Sequence, residues 1–405
     1  MLAFFFIVLG VPLVMLATAF IFLKGISLKE AGVVVLAQVI IAGSAAGIVS
    51  CANTHDVEVW NGKVTSKAPI HVSCSHSYQC NCITSENCDS KGNCTSTTTC
   101  QTCYEHSYDV DWDVHDSTGE VFSIDRIDRQ GLNEPPRFRA VQMGEPTSST
   151  HSYDNYVKAS PDSLFRHQGL EEKYAASLPE NPQNVYDYYR LDRVVTVGLT
   201  LPDAAEWNAE LADMNGDLGR RKQANAIVVI AKNVPDDWYY ALEEKWVGGK
   251  KNDVVLVISV DEDMHVQWAK VMCWTTSELF KVKLIDDVMG DGTLMRGLVL
   301  GQLRSNIDAN FVRKPMASFE YLKSRIVPST LEWIITVIGS LLVAGGLIFV
   351  MQTNDVFGDE GASYVGNPYR TSSFKQSGAE LNEFLPWYRR RHKRKNVSTH
   401  SGGPR

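Results

Sequence analysis

LAFFFIVLGVPLVMLATAFIFL, residues 2–23, places no charged side chain in 22 consecutive positions. A helix of that length rises about 33 Å, enough to cross the hydrocarbon core of a bilayer. Pro12 sits inside it, a residue that membrane helices tolerate. Two further stretches repeat the reading. Residues 31–50 (AGVVVLAQVIIAGSAAGIVS) carry only Gln38 as a strongly polar side chain, and residues 333–351 (WIITVIGSLLVAGGLIFVM) carry no charge. A buried core helix would need only 10–14 such residues, so three transmembrane helices are expected at 2–23, 31–50 and 333–351.

Charge orients them. The C-terminal region 352–405 includes Arg389, Arg390, Arg391, Lys393, Arg394 and Lys395, six cations in seven positions. Such a cluster stays cytoplasmic and can also bind anionic lipid. The third span then runs outside to inside, and residues 51–330 lie outside. The loop Lys24–Lys29 is basic, as a cytoplasmic loop should be. The whole chain carries −8, with +4 on residues 352–405, +1 on 1–50 and −1 on 331–351, leaving −12 on 51–330. An acidic ectodomain argues against nucleic acid as a partner, because phosphate neutralisation needs clustered Lys and Arg. Gly43/Gly47 and Ser340/Ala344 have the small-xxx-small spacing that lets helices approach, so oligomerisation through the spans is possible. Ile48-Val49-Ser50-Cys51 also passes as a loose lipobox, which would make Cys51 a lipid attachment site.

Seven of nine cysteines fall within 30 residues: Cys74, Cys80, Cys82, Cys88, Cys94, Cys100 and Cys103, with Cys51 upstream and Cys273 apart. Between them lie Ser, Thr, Asn, Asp and Gly, which cannot bury enough surface to order the segment. Cross-links are required. Zn²⁺ would use Cys100-x-x-Cys103 with another pair, and His71, His76 and His106 are near. Only one C-x-x-C is present, however, and an outside location is oxidising, so disulfides among the eight cysteines Cys51–Cys103 are favoured. Around the cluster, Val57–Trp60, Asn61-Gly62 and Lys63–Thr65 read as a hairpin with a type I′ turn. Tyr108, Val110, Trp112 and Val114 alternate with Asp109, Asp111 and Asp113 as in a half-buried strand whose aspartates form a solvated face; Val121–Ile127 is a second strand. Residues 52–130 thus read as a small Cys-rich β domain.

Residues 131–192, rich in Pro, Tyr, Ser and Asn, read as an irregular connecting segment with short helices near 161–176 and 183–190. Beyond it, strands at 194–201, 226–231, 253–260 and 265–274 alternate with helices at 203–218, 235–246, 276–289, 293–313 and 315–326. That alternation makes residues 193–326 an α/β sandwich with a mixed sheet. The overall fold class is an α+β membrane protein.

Leu201-Pro202 before a helix, the AIVVIA strand, a helix with Trp246, Gly248-Gly249-Lys250-Lys251-Asn252 leading into VVLVISV, and a C-terminal membrane helix together resemble the TPM domain over residues 195–325. That resemblance implies a membrane-tethered α/β module; phosphatase activity and metal binding are attributed to some of its members. The chain departs from the family pattern at Asn252-Asp253 and at Cys273-Trp274-Thr275, which weighs against carrying either property over. Val72–Tyr78, Cys103–Tyr108, Ala159–Phe165 and Phe311–Met316 also resemble a group of membrane proteins of large tailed bacteriophages. This second resemblance implies a bacterial inner membrane or virion membrane, with 51–330 periplasmic, and carries no activity.

Candidate catalytic chemistry is sparse, and no catalytic set is expected. Asp286, Asp287 and Asp291 are the best acidic constellation for Ca²⁺ or Mg²⁺, with Asp261–Asp263 a second, though a helix face and a polar turn are the favoured readings because spacing alone does not make ligands converge. Cys273 lies between Met272 and Trp274 and reads as a buried thiol. The expected function is an envelope or virion-associated protein whose ectodomain binds a protein or envelope partner or scaffolds assembly. The alternative is a membrane-tethered, metal-dependent phosphatase-like hydrolase.

Overall fold

The computed structural model describes residues 1–22, 27–88, 90, 92–161, 165 and 169–354. The basic residues 389–395 lie outside them. Three helices are long and apolar enough to cross a membrane: α1 (Leu2–Phe22), α2 (Leu28–Thr54) and, at the other end of the described chain, a helix over Thr330–Asn354. α1 continues across Pro12. Ser27 opens α2 with a capping box: its hydroxyl accepts from the Glu30 N–H, and the Glu30 carboxylate accepts from the Ser27 N–H. The three pack on one another. Ser340 donates to Gln38 Oε1 at 2.7 Å, so the one strongly polar side chain of the second span is turned into the bundle. Ala344 is buried there too, whereas nothing lies near Gly43 or Gly47.

The N-terminal end of α1, the C-terminal end of α2 and the start of the Thr330 helix lie together. Met1 N reaches Ile326 O at 3.1 Å, Phe4 and Trp333 meet edge to face, and Asn53 donates to Glu332 at 3.2 Å. α2 runs three residues past Cys51 and then passes directly into β1 (His55–Val72).

β1 corrects the sequence reading. Val57–Thr65 is no hairpin: Asn61 and Gly62 lie in the middle of one 18-residue strand. Its first half pairs with β6 (Pro146–Asp154) and its second half with β4 (Asp109–Asp116), both antiparallel. Tertiary packing overrides the turn propensity. The Asn61 amide is buried and bonded to Asn225, and a Cβ on Gly62 would press to 2.8 Å of the Asp116 carboxylate. Between β1 and β4 the chain makes β2 (Ser77–Cys88) and β3 (Cys94–Tyr104), a two-stranded sheet of their own. β5 (Val121–Ile124) ends three residues earlier than expected and completes the order β5-β4-β1-β6. Val64, Val110, Trp112, Val114, Ile124, Phe138, Val141 and Tyr189 form its core. Phe138 comes from α3 (Pro136–Ala140). Residues 131–192 are therefore not merely connecting, since they supply the edge strand β6. They also hold α4 (Tyr156–Ala159) and α5 (Leu170–Tyr174). No helix forms over 183–190; Tyr186 and Arg190 close a tight bridge across Asp187 and Tyr188, both with positive φ.

The second sheet matches the periodic pattern closely. β7 (Val194–Val197), α6 (Ala204–Lys222), β8 (Asn225–Lys232), α7 (Asp237–Trp246), β9 (Asp253–Val260) and β10 (Val266–Cys273) follow in turn. After them come α8 (Glu278–Asp291), α9 (Arg296–Asn310), a 3₁₀ segment at Met316–Arg325 in place of the expected α-helix, and α10 (Thr330–Asn354). The order is β10-β9-β8-β7, with β7, β8 and β9 parallel and β10 antiparallel. β8 is apolar on both faces because both faces are covered. Ala226, Val228 and Ile230 pack with α6, α8 and α9, while Ile227, Val229 and Ala231 pack with α7. Trp207, Leu211, Met214 and Leu218 form the buried stripe of α6. The opposite side of α6 lies on β1, where Gly216 and Gly219 allow the close approach. A Cβ on Gly219 would meet Asn61 O at 2.2 Å.

Candidate functional site

Six of the eight clustered cysteines are paired: Cys80–Cys103, Cys82–Cys100 and Cys88–Cys94. All three bonds cross β2 and β3 and none reaches the main sheet. The even pairing of eight is corrected, since Cys51 and Cys74 are free thiols. Cys51 is exposed within α2, some distance in sequence from the hairpin. Cys74 precedes β2, is 6% exposed, and faces a different set of partners. The hairpin itself buries almost nothing: Tyr78, Ile83 and Tyr104 are 51%, 73% and 59% exposed, and Thr84 and Thr98 meet hydroxyl to hydroxyl across it.

At the root of this hairpin, four side chains from three short segments converge. Cys74 and His76 lie just before β2, His106 just after β3, and Asp109 opens β4. Each offers one ligand atom, and the four atoms lie within 4.8 Å of one another. Among the described residues no other group of three or more His, Cys, Asp or Glu does so. Asp109 is fully buried, so the solvated aspartate face is corrected at this residue. Asp111 and Asp113 remain half-buried on it. Asp109 Oδ2 accepts from the Ser75 N–H at 3.0 Å, the Ser75 hydroxyl at 3.2 Å and Arg126 Nη1 at 2.8 Å. The Ser75 N–H and then the Arg126 guanidinium hold the carboxyl well below the usual range despite its burial. Arg126 also grips Asp111, fixing the two acids side by side. The Glu105 N–H bonds His76 O at 3.0 Å, which brings the two ends of the hairpin together.

Of the three histidines near the cysteines, His76 and His106 enter this cluster, and His71 stacks on Tyr108 at 4.3 Å. Cys100 and Cys103 are consumed by disulfides, so a zinc site built on that C-x-x-C does not form. The signal that identifies the actual cluster is Cys74-x-His76 with His106-x-x-Asp109, two close ligand pairs about thirty residues apart.

Asp286, Asp287 and Asp291 do not converge. Asp286 and Asp287 are on the exposed side of α8; Asp287 accepts from Asn306 at 2.7 Å, and Asp291 accepts from Gln302 at 3.0 Å. Asp261 accepts from the Asp263 and His265 N–H groups, the polar turn expected there. Cys273 is 5% exposed in the α/β core, and burial pushes its thiol up to about 12.

A polar seam joins the two sheets. Buried Arg193 bonds Asn61, Ser148 and Asn225, and burial pulls its guanidinium down to about 10. Glu58, 1% exposed, accepts from Trp60 Nε1 and pairs with Lys251 at 2.7 Å, beside a cleft of about 420 Å³ that Arg220 and Arg313 also line. These contacts link residues nearly 200 apart in sequence, and no local spacing announces them. Arg313 stands 3.9 Å from the second Glu58 oxygen, which is buried and accepts no hydrogen bond, and the seam holds no grouping with the geometry of acid–base or nucleophilic catalysis.

Comparison with protein-family models, curated proteins and solved structures finds no match to this chain.

Proposed function

We propose that this chain is a membrane-anchored presenter of the β2–β3 hairpin, a rigid polar arm that meets a protein partner of the envelope or virion. The observation that carries this reading is the combination of three disulfides with near-complete exposure. The staples lie where they stabilise no core, so what they preserve is the arm's shape. A pre-organised arm loses less entropy on binding than a flexible loop. Exposed Tyr78, Ile83 and Tyr104 supply apolar anchors of the kind interfaces use.

In this reading residues 51–330 are periplasmic and the basic residues 389–395 are cytoplasmic. Two observations support that topology. Disulfides belong in an oxidising compartment, and Met1, Thr54 and Thr330 share one end of the helix bundle, the end bearing the ectodomain. The first sheet, whose strand β1 runs from the end of α2 to the hairpin, then links membrane and arm, and the α/β unit, TPM-like in its sequence pattern, braces it through α6. The bacteriophage setting comes from the sequence resemblance. The hydrolase alternative gains little from α8: Asp286 and Asp287 are exposed, and Asp287 and Asp291 are each engaged by a neighbouring amide, Asn306 and Gln302.

Photocrosslinking tests the reading. A crosslinking side chain at Ile83, on the full-length protein in intact cells, should give a discrete adduct that disappears when all six paired cysteines are replaced by serine. An adduct that survives this replacement, or that forms equally from exposed Val282 on α8, contradicts an arm-specific contact.

A further inference from the structure

We infer that Cys74, His76, His106 and Asp109 form a zinc site that clamps the root of the hairpin to the first sheet. The inference does not depend on which partner the arm meets. Cys74 Sγ lies 3.7 Å from His106 Nδ1 and 4.0 Å from His76 Nδ1. Asp109 lies 3.3 Å from His106 Nδ1 through Oδ1 and 3.5 Å from His76 Nδ1 through Oδ2. A tetrahedral zinc ion with its usual bond lengths sets edges of about 3.3 Å between nitrogen or oxygen ligands and about 3.6 Å from sulfur to nitrogen. The observed spacings are close to those edges before any ion is considered.

Three further observations point to a metal. Asp109 Oδ1 is buried and accepts no hydrogen bond in the protein, whereas Oδ2 of the same carboxylate accepts three. One oxygen is oriented by its surroundings and the other is left for the ion, as in supported metal sites. The His76 N–H points to Cys74 Sγ at 3.4 Å, so a thiolate there has a donor. A thiolate, a carboxylate and two neutral imidazoles also carry two negative charges, which a divalent cation balances. Sulfur and imidazole ligands select zinc-like ions over Ca²⁺ or Mg²⁺.

A Cys-His-Asp nucleophile system is the competing reading, and the geometry opposes it. Such a relay needs the thiol on one ring nitrogen and the carboxylate on the other. Here Cys74 and Asp109 both face Nδ1 of His106. Four ligands from the protein also close the coordination sphere, which is the structural type of zinc site.

The test uses full-length protein in detergent and zinc or cobalt alone as the probe. After chelation and dialysis, Co²⁺ should bind one per chain and give tetrahedral d–d absorption with a thiolate charge-transfer band. Zn²⁺ should displace it. Cys74→Ser should lose the charge-transfer band, and Cys273→Ser should keep it. Arg126→Gln, which removes the guanidinium support of Asp109 together with its bond to Asp111 but no ligand, should weaken zinc by about 10–100-fold. Alkylation of Cys74 in the unmodified chain needs no variant to fold: zinc should block it and chelator restore it. An alkylation rate indifferent to zinc, or a cobalt spectrum unchanged in Cys74→Ser, overturns the inference.

Discussion

β8–β9 and β2–β3 are both strand pairs, and they are held together by opposite means. β8 and β9 have eight residues each and are buried on both faces, Ala226 to Ala231 and Val254 to Ile258 at 0% exposure. β2 and β3 have twelve and eleven residues, almost all exposed, and three covalent bonds between them. Burial orders the first pair and also dictates what surrounds it. Cross-links order the second pair and leave its surface free to vary. The same chain thus separates a platform, whose residues are fixed by packing, from an arm, whose surface residues packing leaves unconstrained.

The largest effect expected from breaking this contrast lies in the platform. Trp207→Ala empties a fully covered site in the α6 stripe and should cost about 3–5 kcal/mol in denaturant unfolding of the α/β unit. The three disulfides should still form. Replacing Cys82 and Cys100 together by serine should cost the arm about 3 kcal/mol. Hydrogen exchange within residues 77–104 should accelerate while exchange in β8 and β9 stays as it was. Loss of protection in both regions at once would show that the arm and platform are one cooperative unit.

Cys273 provides a smaller, pH-dependent handle on the platform alone. Its folded-state thiol is raised to about 12 from an ordinary 9.0, so the folded state keeps a proton that the unfolded state releases. That contribution is complete below pH 9 and is lost as pH rises toward 12. The unfolding midpoint should decline over this window, and Cys273→Ala should flatten the decline. The smallest effect belongs to the arm's surface: Ile83→Ala should shift stability by no more than about 0.5 kcal/mol while weakening the adduct expected from the proposed arm contact.

What the sequence made legible follows the same division. The three apolar spans are readable from their uncharged length, and the α/β unit because burial marks its strands; AIVVIA and VVLVI are apolar without interruption because helices cover both sides. Asn61-Gly62 misled for a physical reason. Its turn propensity is local, while its strand conformation depends on Asn225 and Gly219 more than 150 residues away. β6 was hidden because the edge strand 146–154 is mostly Ser and Thr, whose partners come from distant chain. Among the cysteines, composition alone indicates stapling, but it does not separate Cys74 from the others, since it lies in the same run. Its separate role emerges only when the fold folds His106 and Asp109 back onto it.

Peptide mapping under non-reducing conditions, on protein alkylated while still in its membrane, tests the central division most directly. Linked peptides are expected for Cys80–Cys103, Cys82–Cys100 and Cys88–Cys94, with Cys74 and Cys273 recovered as thiols. Six reduced cysteines in the hairpin, or a disulfide joining Cys74 to any of them, would contradict an arm held by its own staples and standing apart from the sheet that carries it.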